Sequence, residues 1–268
     1  MSRRQAKTWA GEGVEALRER WGRESVYVFG KVDSTNAAAR ELADEGAPSG
    51  TIVLAREQTA GRGRGEREWI SPRDGGLYLS MLFRPGGPPV TALAAIVAGM
   101  DVARELARPG EDFRPRVKWP NDLMARDRKL GGILAEAGRD EEGGARLVVG
   151  VGINVVADRL PADLEGAIAL DECLEDPALP EVADAAVRGL ERRLTDPPAA
   201  LDEDALDELD RMDWLRNRRV RHELPDREPL EGVATGIAPD GALLLRPDRG
   251  ALRRVVAGTV RVIGDDGP

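Results

Sequence analysis

Residues 130–137 and 147–156 are two apolar runs separated by Arg139-Asp140-Glu141-Glu142-Gly143-Gly144, a polar spacer that ends in glycine. Strand-length apolar segments joined in this way predict an antiparallel hairpin in the core. Within the second run, Gly150 and Gly152 stand at alternate positions. Successive side chains of a strand point to opposite faces, so these glycines leave one face bare and something packs flat on it. A core helix is the ordinary occupant of such a face.

The rest of the chain supplies elements to build around the hairpin. Leu77, Leu79, Met81 and Phe83 alternate as in a strand, and residues 51–55 form a short apolar run fit for another. Leu93, Ile96, Val97, Met100 and Ala103 recur at helical spacing through residues 91–106, which Pro109-Gly110 end. Ser34, Thr35 or Asn36 can cap a helix over residues 37–43, stopped by Gly46 and Pro48. Residues 181–194 and 205–215 read as helices, and residues 13–21 fit one more. After Trp214 the texture changes. Short β-like runs at residues 219–221, 230–237, 243–246, 253–256 and 260–263 alternate with the turn signals Pro225-Asp226, Asp240-Gly241 and Asp248-Arg249-Gly250. The expected fold class is α+β: a mixed, largely antiparallel sheet flanked by helices over residues 25–212, then a small β-barrel over residues 213–265. Residues 1–24 are expected to form an N-terminal extension.

Composition removes several function classes. Cys173 is the only cysteine and His222 the only histidine of 268 residues, which argues against internal disulfides, cysteine zinc sites and HExxH chemistry. No apolar run approaches the roughly 18 residues that span a bilayer, and no apolar segment follows the basic N-terminus as in a secretory signal. A cytoplasmic protein is expected. The net charge of −9 argues against non-specific nucleic-acid binding, and residues 1–24 are too few for a helix-turn-helix. Among 39 cationic side chains only Lys7, Lys31, Lys118 and Lys129 are lysines, and two of these lie within twelve residues of each other.

Three segments carry candidate chemistry. In Gln58-Thr59-Ala60-Gly61-Arg62-Gly63-Arg64-Gly65-Glu66-Arg67-Glu68-Trp69, three glycines alternate with two arginines. Such a segment cannot be a buried regular element. Its glycines let backbone approach a ligand, and its arginines offer forked donors to carboxylate or phosphate. A solvated surface loop is the plain alternative, and the spacing is neither GxGxxG nor a P-loop. The second segment runs Val117-Lys118-Trp119-Pro120-Asn121-Asp122-Leu123, then Lys129-Leu130-Gly131-Gly132-Ile133-Leu134-Ala135-Glu136. Its lysines suit a polyphosphate or a developing acyl-phosphate, or are simply strand-edge charges. Asn121 and Asp122 can orient a ligand or hold Mg²⁺ through oxygen. The third is Gly150-Val151-Gly152-Ile153-Asn154, whose terminal asparagine can read an amide or adenine edge.

Taken in order, Asp33-Ser34-Thr35-Asn36, the Gln58–Arg64 loop with Trp69, Lys118-Trp119-Pro120-Asn121-Asp122, Lys129–Glu136 and Gly150–Asn154 resemble the biotin protein ligases. The resemblance runs from about Val26 to Ile263 and implies a class II synthetase-like catalytic domain followed by an SH3-like barrel. It implies a monofunctional ligase without the N-terminal DNA-binding domain of the repressor-type members. The implied activity forms biotinyl-5′-AMP from biotin and MgATP, then passes biotin to one lysine of a biotin carboxyl carrier protein, as in acetyl-CoA carboxylase. By resemblance, Lys129, Arg62 and Arg64 are catalytic. Ser34, Thr35, Asn36, Gln58, Gly61, Arg62, Gly63, Arg64, Lys129, Gly131 and Gly132 bind biotin. Arg62, Arg64, Trp69, Lys118, Asn121, Asp122, Lys129 and Asn154 serve ATP, and Asp122 serves Mg²⁺. The loop departs from the family at Gly65-Glu66-Arg67, where a basic residue, a glycine and an arginine commonly follow. The family includes monomers and dimers, so a homodimer is left open, while neither DNA nor a membrane is an expected partner. The alternatives are a lipoate or octanoate ligase or transferase, which shares the catalytic fold, and a non-catalytic biotin sensor or repressor.

Overall fold

The computed structural model describes residues 5–264 except 66, 88, 141–142 and 226. Glu66 of the glycine–arginine loop, Glu141 and Glu142 of the hairpin spacer and Asp226 of an expected turn therefore lie outside the described residues.

The chain opens with a two-residue hairpin, β1 (Thr8–Trp9) and β2 (Glu12–Gly13), and helix α1 (Val14–Trp21). Trp9 and Leu17 are fully buried in the main core, so this segment packs onto the body of the protein. There follow β3 (Val26–Phe29), α2 (Thr35–Asp44), β4 (Ile52–Ala55), β5 (Gly76–Phe83), α3 (Thr91–Leu106), β6 (Arg116–Lys118), β7 (Asp122–Ala125), β8 (Arg128–Arg139) and β9 (Ala145–Asn154). The seven strands from β3 to β9 form one sheet in the order β3-β4-β5-β9-β8-β7-β6. All pairs are antiparallel except β3 with β4, which α2 joins by a crossover. The expected hairpin is β8 with β9, paired from Gly131↔Ile153 to Arg139↔Ala145.

Both faces of the sheet are covered. Leu77, Leu79, Met81 and Phe83 of β5 join the main cluster with α3 and with α4 (Leu179–Leu194). Tyr78 and Leu82, on the opposite face, pack with Ala38, Ala39 and Ala43 of α2. Ser80 lies between them as the one polar side chain on that face of β5. Ser34 occupies the N-cap of α2, but no side chain caps the helix; the polar groups of Thr35 and Asn36 turn inward instead.

Helix α5 (Glu203–Met212) differs from the expected 205–215 at both ends. The Asp202 carboxylate accepts from the Ala205 backbone N–H at 2.8 Å and starts the helix earlier, a cap worth about 1 kcal/mol. At the other end, the Trp214 backbone N–H donates to Val117 of β6 at 2.8 Å, a partner that no helical period reveals.

The C-terminal strands are β10 (Arg219–Glu223), β11 (Leu230–Ile237), β12 (Leu243–Pro247), β13 (Arg253–Val255) and β14 (Thr259–Val262). Their order is β13-β12-β11-β10-β14, all antiparallel. Among the described residues the edge strands β13 and β14 do not pair, so the expected barrel is an open sheet. It docks through the Asp240-Gly241 turn, where Gly241 takes φ +85° and accepts from the buried Trp119 indole at 2.9 Å.

The connection between the two sheets buries a carboxylate. Asp213 is fully buried; one oxygen accepts from the Leu215 N–H at 2.9 Å and the other has no hydrogen-bond partner. Burial pushes its carboxyl up to about 6, against the pull of that backbone bond and of Arg116 and Arg216. A pKa raised above the unfolded value near 3.9 means that the folded state binds the proton more tightly. The cost of the buried charge is then fully present above pH 6 and disappears as pH falls from 6 to 4. Asp213→Asn is therefore expected to be more stable than the parent by about 1–3 kcal/mol at pH 8, with the difference shrinking to about a third of that at pH 4.5. Urea denaturation of both proteins at the two pH values checks this.

Candidate active site

Strand register assembles the site floor on the α2 face of the sheet. Tyr78, Gly152, Gly132, Asp122 and Lys118 face one another across five strands in one row. Ser80, Gly150 and Leu134 form the next. The glycines make this floor bare, as expected, but its occupants are two side chains rather than a plain core helix face. A Cβ at Gly150 would stand 2.3 Å from the Asn36 amide oxygen, and one at Gly152 would stand 2.6 Å from the Trp69 indole.

The glycine–arginine loop folds back on itself. Arg62 bridges Glu68, the Gly63 N–H donates to the Arg67 carbonyl at 2.7 Å, and Gly65 turns the chain at φ +69°. Its cations point different ways. Arg62 pairs with Glu136 at 2.9 Å. The Arg64 guanidinium lies 5.8 Å from the centre of the Trp119 ring and donates to the Gly258 carbonyl of the C-terminal sheet. Arg67 donates to the Thr259 hydroxyl at 3.0 Å. Among the described residues no carboxylate pairs with Arg64. Burial lowers its pKa, assisted by Arg67 and opposed by Asp122.

Lys129 Nζ lies 2.6 Å from Asp122 Oδ1 and 5.5 Å from the centre of the Trp69 ring. Against it, Gln58 links both sides of the cavity: its carbonyl accepts from the Thr35 N–H at 2.8 Å, and its amide donates to the Ser71 hydroxyl at 2.7 Å. Ser34, Thr35, Asn36, Gln58, Arg62, Gly63, Arg64, Trp69, Asn121, Asp122, Lys129 and Gly132 all line this one cavity. It therefore combines a polar hydrogen-bonding cluster, an apolar and glycine floor, and four cations, Arg62, Arg64, Arg67 and Lys129, an arrangement that can bring two anions together.

Four residues expected in the site stand outside its lining. Gly61 is required by the loop itself, since a Cβ would meet the Trp69 carbonyl at 2.2 Å. At Gly131 a Cβ would meet the Gly152 carbonyl at 2.5 Å, so this glycine serves strand packing. The Asn154 amide donates to the Ile168 carbonyl at 3.2 Å, which ties residues 166–168 beside Lys129. Lys118 ends the floor row beside Asp122, 5.3 Å from the centre of the Trp214 ring, and burial pulls its pKa below the ordinary lysine range. Asn121 lines the cavity but donates its amide to the Ile133 carbonyl at 2.7 Å. Ser80 and Glu136 were missed as candidates. Their signal was a lone polar residue within each of two apolar strand runs.

A sequence profile described as the Biotin/lipoate A/B protein ligase family matches residues 28–154. Another, described as the Biotin protein ligase C terminal domain, matches residues 217–262. The chain is 36% identical over 231 residues to the bifunctional ligase/repressor BirA of Escherichia coli, covering 84% of this chain and 70% of that protein. It is 35% identical over 231 residues to the biotin--[acetyl-CoA-carboxylase] ligase of Mycobacterium tuberculosis, covering 84% of each. In three dimensions it is similar to a biotin protein ligase from Aquifex aeolicus in complex with biotin and ATP, with TM-score 0.75, 24% identity, and coverage of 90% of this chain and 100% of that one. On these matches, the chain belongs to the biotin protein ligase family.

Proposed function

We propose that the protein is an ATP-dependent biotin ligase that forms biotinyl-5′-AMP and transfers biotin to a lysine of a biotin carboxyl carrier protein. The observation that carries this reading is that Lys129, Arg62 and Arg64 line the same cavity as the Thr35–Gln58 hydrogen-bonding cluster. Biotin has the same division: an anionic carboxylate, an apolar chain and a polar ureido head.

In the first step a biotin carboxylate oxygen attacks the α-phosphorus of ATP and pyrophosphate leaves. Both reactants are anions, so neutralisation and alignment dominate the barrier. Lys129, held by Asp122, is the cation assigned to the biotin carboxylate and α-phosphate. Arg62 and Arg64 are assigned to the phosphate, with the folded loop excluding water from the mixed anhydride. Ser34, Thr35, Asn36 and Gln58 are assigned to the ureido head. In the second step the carrier lysine amine attacks the acyl carbonyl, AMP leaves with the bonding electrons, and the amine loses a proton to solvent.

Trp69, Lys118, Asn121 and Asp122 are assigned to the nucleotide. Asn154 serves it indirectly by holding residues 166–168 against Lys129. Mg²⁺ bound with nucleotide phosphates needs one or two protein carboxylates, and Asp122 at the cavity wall fits that need. When bound, the metal would supply charge neutralisation at the phosphates. The reading is cytoplasmic, gives DNA no part and is compatible with a homodimer. No helix among the described residues is long and apolar enough to cross a membrane.

Transfer of labelled biotin to a purified carrier domain, dependent on ATP, tests the proposal. Pyrophosphate exchange that depends on lipoate and not on biotin would overturn it. Lys129→Ala is expected to slow biotin-dependent pyrophosphate exchange by about 10²-fold or more. Its melting temperature should hold, because the lost ion pair with Asp122 is partly exposed. Arg64→Gly removes the guanidinium between Trp119 and Gly258. It is expected to speed release of biotinyl-AMP into solution about tenfold or more, measured by rapid filtration of the preformed complex.

A further inference from the structure

Beneath the cavity a chain of side-chain hydrogen bonds has a fixed direction. The Asn36 amide nitrogen lies 2.8 Å from Glu136 Oε2 and 3.2 Å from the Leu134 carbonyl. A carboxylate and a carbonyl only accept, so the two amide hydrogens are committed to them and the amide oxygen faces the other way. That oxygen is 2.6 Å from Ser80 Oγ. An amide oxygen only accepts, so the Ser80 proton goes to Asn36 and a Ser80 lone pair is left for Thr35 Oγ1, 2.8 Å away. Thr35 Oγ1 also lies 3.1 Å from Gln58 Oε1, another pure acceptor. Gln58 is fixed in that orientation because its amide nitrogen donates to Ser71.

The Thr35 hydroxyl therefore has two protein acceptors for its single proton and meets the cavity with a lone pair. Glu136 starts this direction. It is itself held by Arg40 at 3.1 Å and Arg62 at 2.9 Å. Ser80, fully buried on β5, transmits it. Gly150 makes room for the Asn36 amide oxygen at the centre.

We propose that Glu136 and Ser80 are positioning residues that fix Thr35 as a hydrogen-bond acceptor toward the cavity, so that the site selects a ligand N–H over a ligand oxygen. This rests on the biotin reading, in which that N–H belongs to the ureido head. An analogue with one ureido N–H replaced by oxygen, a cyclic carbamate, would oppose its lone pair to that of Thr35. Removing Ser80 Oγ takes away the nearer acceptor and lets the Thr35 proton swing toward the ligand.

The test measures affinity for biotin and for both regioisomeric carbamates by calorimetry, with biotin-dependent pyrophosphate exchange and melting temperature, on the full chain. The parent is expected to prefer biotin over one carbamate at least tenfold. Ser80→Ala should weaken biotin about tenfold, the scale of one hydrogen bond, and narrow the preference at least threefold. The KM for ATP should stay within about twofold. Glu136→Ala should move the same two quantities in the same direction. Glu136→Gln, which keeps an oxygen acceptor for Asn36, should recover most of the analogue preference. Parent-like biotin affinity and preference in folded Ser80→Ala and Glu136→Ala would overturn the proposal. So would a parallel fall of biotin affinity, ATP affinity and melting temperature with the preference unchanged, which is the mark of a merely structural role. Should Ser80→Ala not fold, the two Glu136 variants decide alone by the same criteria. If the parent performs biotin-dependent exchange and the variants match it, only the positioning role fails. If the parent neither binds nor activates biotin, the functional reading fails and this proposal with it.

Discussion

The site depends on β9 having no side chain at two positions on one face. Any Cβ at Gly150 or Gly152 would overlap Asn36 or Trp69, so these two side chains can lie against the sheet only because the strand is bare there. Asn36 brings the N-terminus of α2 onto the floor, and Trp69 brings the end of the glycine–arginine loop. Two segments that are distant in sequence thus meet over one strand, at the cost of the weaker strand propensity of glycine. The central place of β9, between β5 and β8, offsets that cost by burying it among the longest pairings of the sheet.

The second sheet is joined to the same loop by polar contacts rather than by a broad apolar seam at that point. Arg64 reaches the Gly258 carbonyl and Arg67 the Thr259 hydroxyl. The turn that presents Gly258 is itself held: His222 Nε2 donates to the Ala257 carbonyl at 2.7 Å, and Gly258 sits at φ +112° where a Cβ would strike that imidazole. The only histidine of the chain therefore shapes the surface on which the loop rests. Trp119 completes the link, with its indole N–H on Gly241 and its face toward Arg64. A cation–π pair of this kind contributes from about 0.5 kcal/mol when exposed to about 2 kcal/mol when desolvated, and the buried Trp119 ring places this one toward the upper end.

Periodicity made the long elements legible: the β8–β9 hairpin, β5, and α3 bear strong patterns of 2.0 or 3.6 residues. Among the short ones, β4 and the C-terminal strands were legible as apolar runs or from flanking turn signals, whereas β3, β6 and β7 were not. Residues 26–29 are four apolar or aromatic residues whose parallel pairing with β4 depends on the crossover through α2. Strands β6 and β7, three and four residues long, exist by pairing with each other and with β8. The motif residues that converge on the cavity were readable because their side-chain chemistry is unusual for their setting: glycine alternating with arginine, or lysine where arginine is the rule. Ser80 and Glu136 were harder to read. Their importance comes from what they touch across the sheet, and cross-strand register cannot be counted along one strand. Gly61 and Gly131 illustrate the converse: glycines inside a motif can be demanded by backbone contacts alone.

The scarcity of lysine acquires a geometric meaning at the floor of the cavity. Lys118 and Lys129 both flank Asp122, one as its cross-strand neighbour and one in ion contact, and each lies over a tryptophan ring. An ammonium is a compact charge that can sit between a carboxylate and an aromatic face and still rotate its donors toward a third group. A guanidinium engages a carboxylate best as a planar fork, as Arg56 does with Asp74 at 2.7 and 2.6 Å elsewhere in this chain. Such a fork beside Asp122 would spend its donors on the protein. The narrow space between Asp122 and Trp69 therefore favours the residue that keeps donors available for an incoming anion.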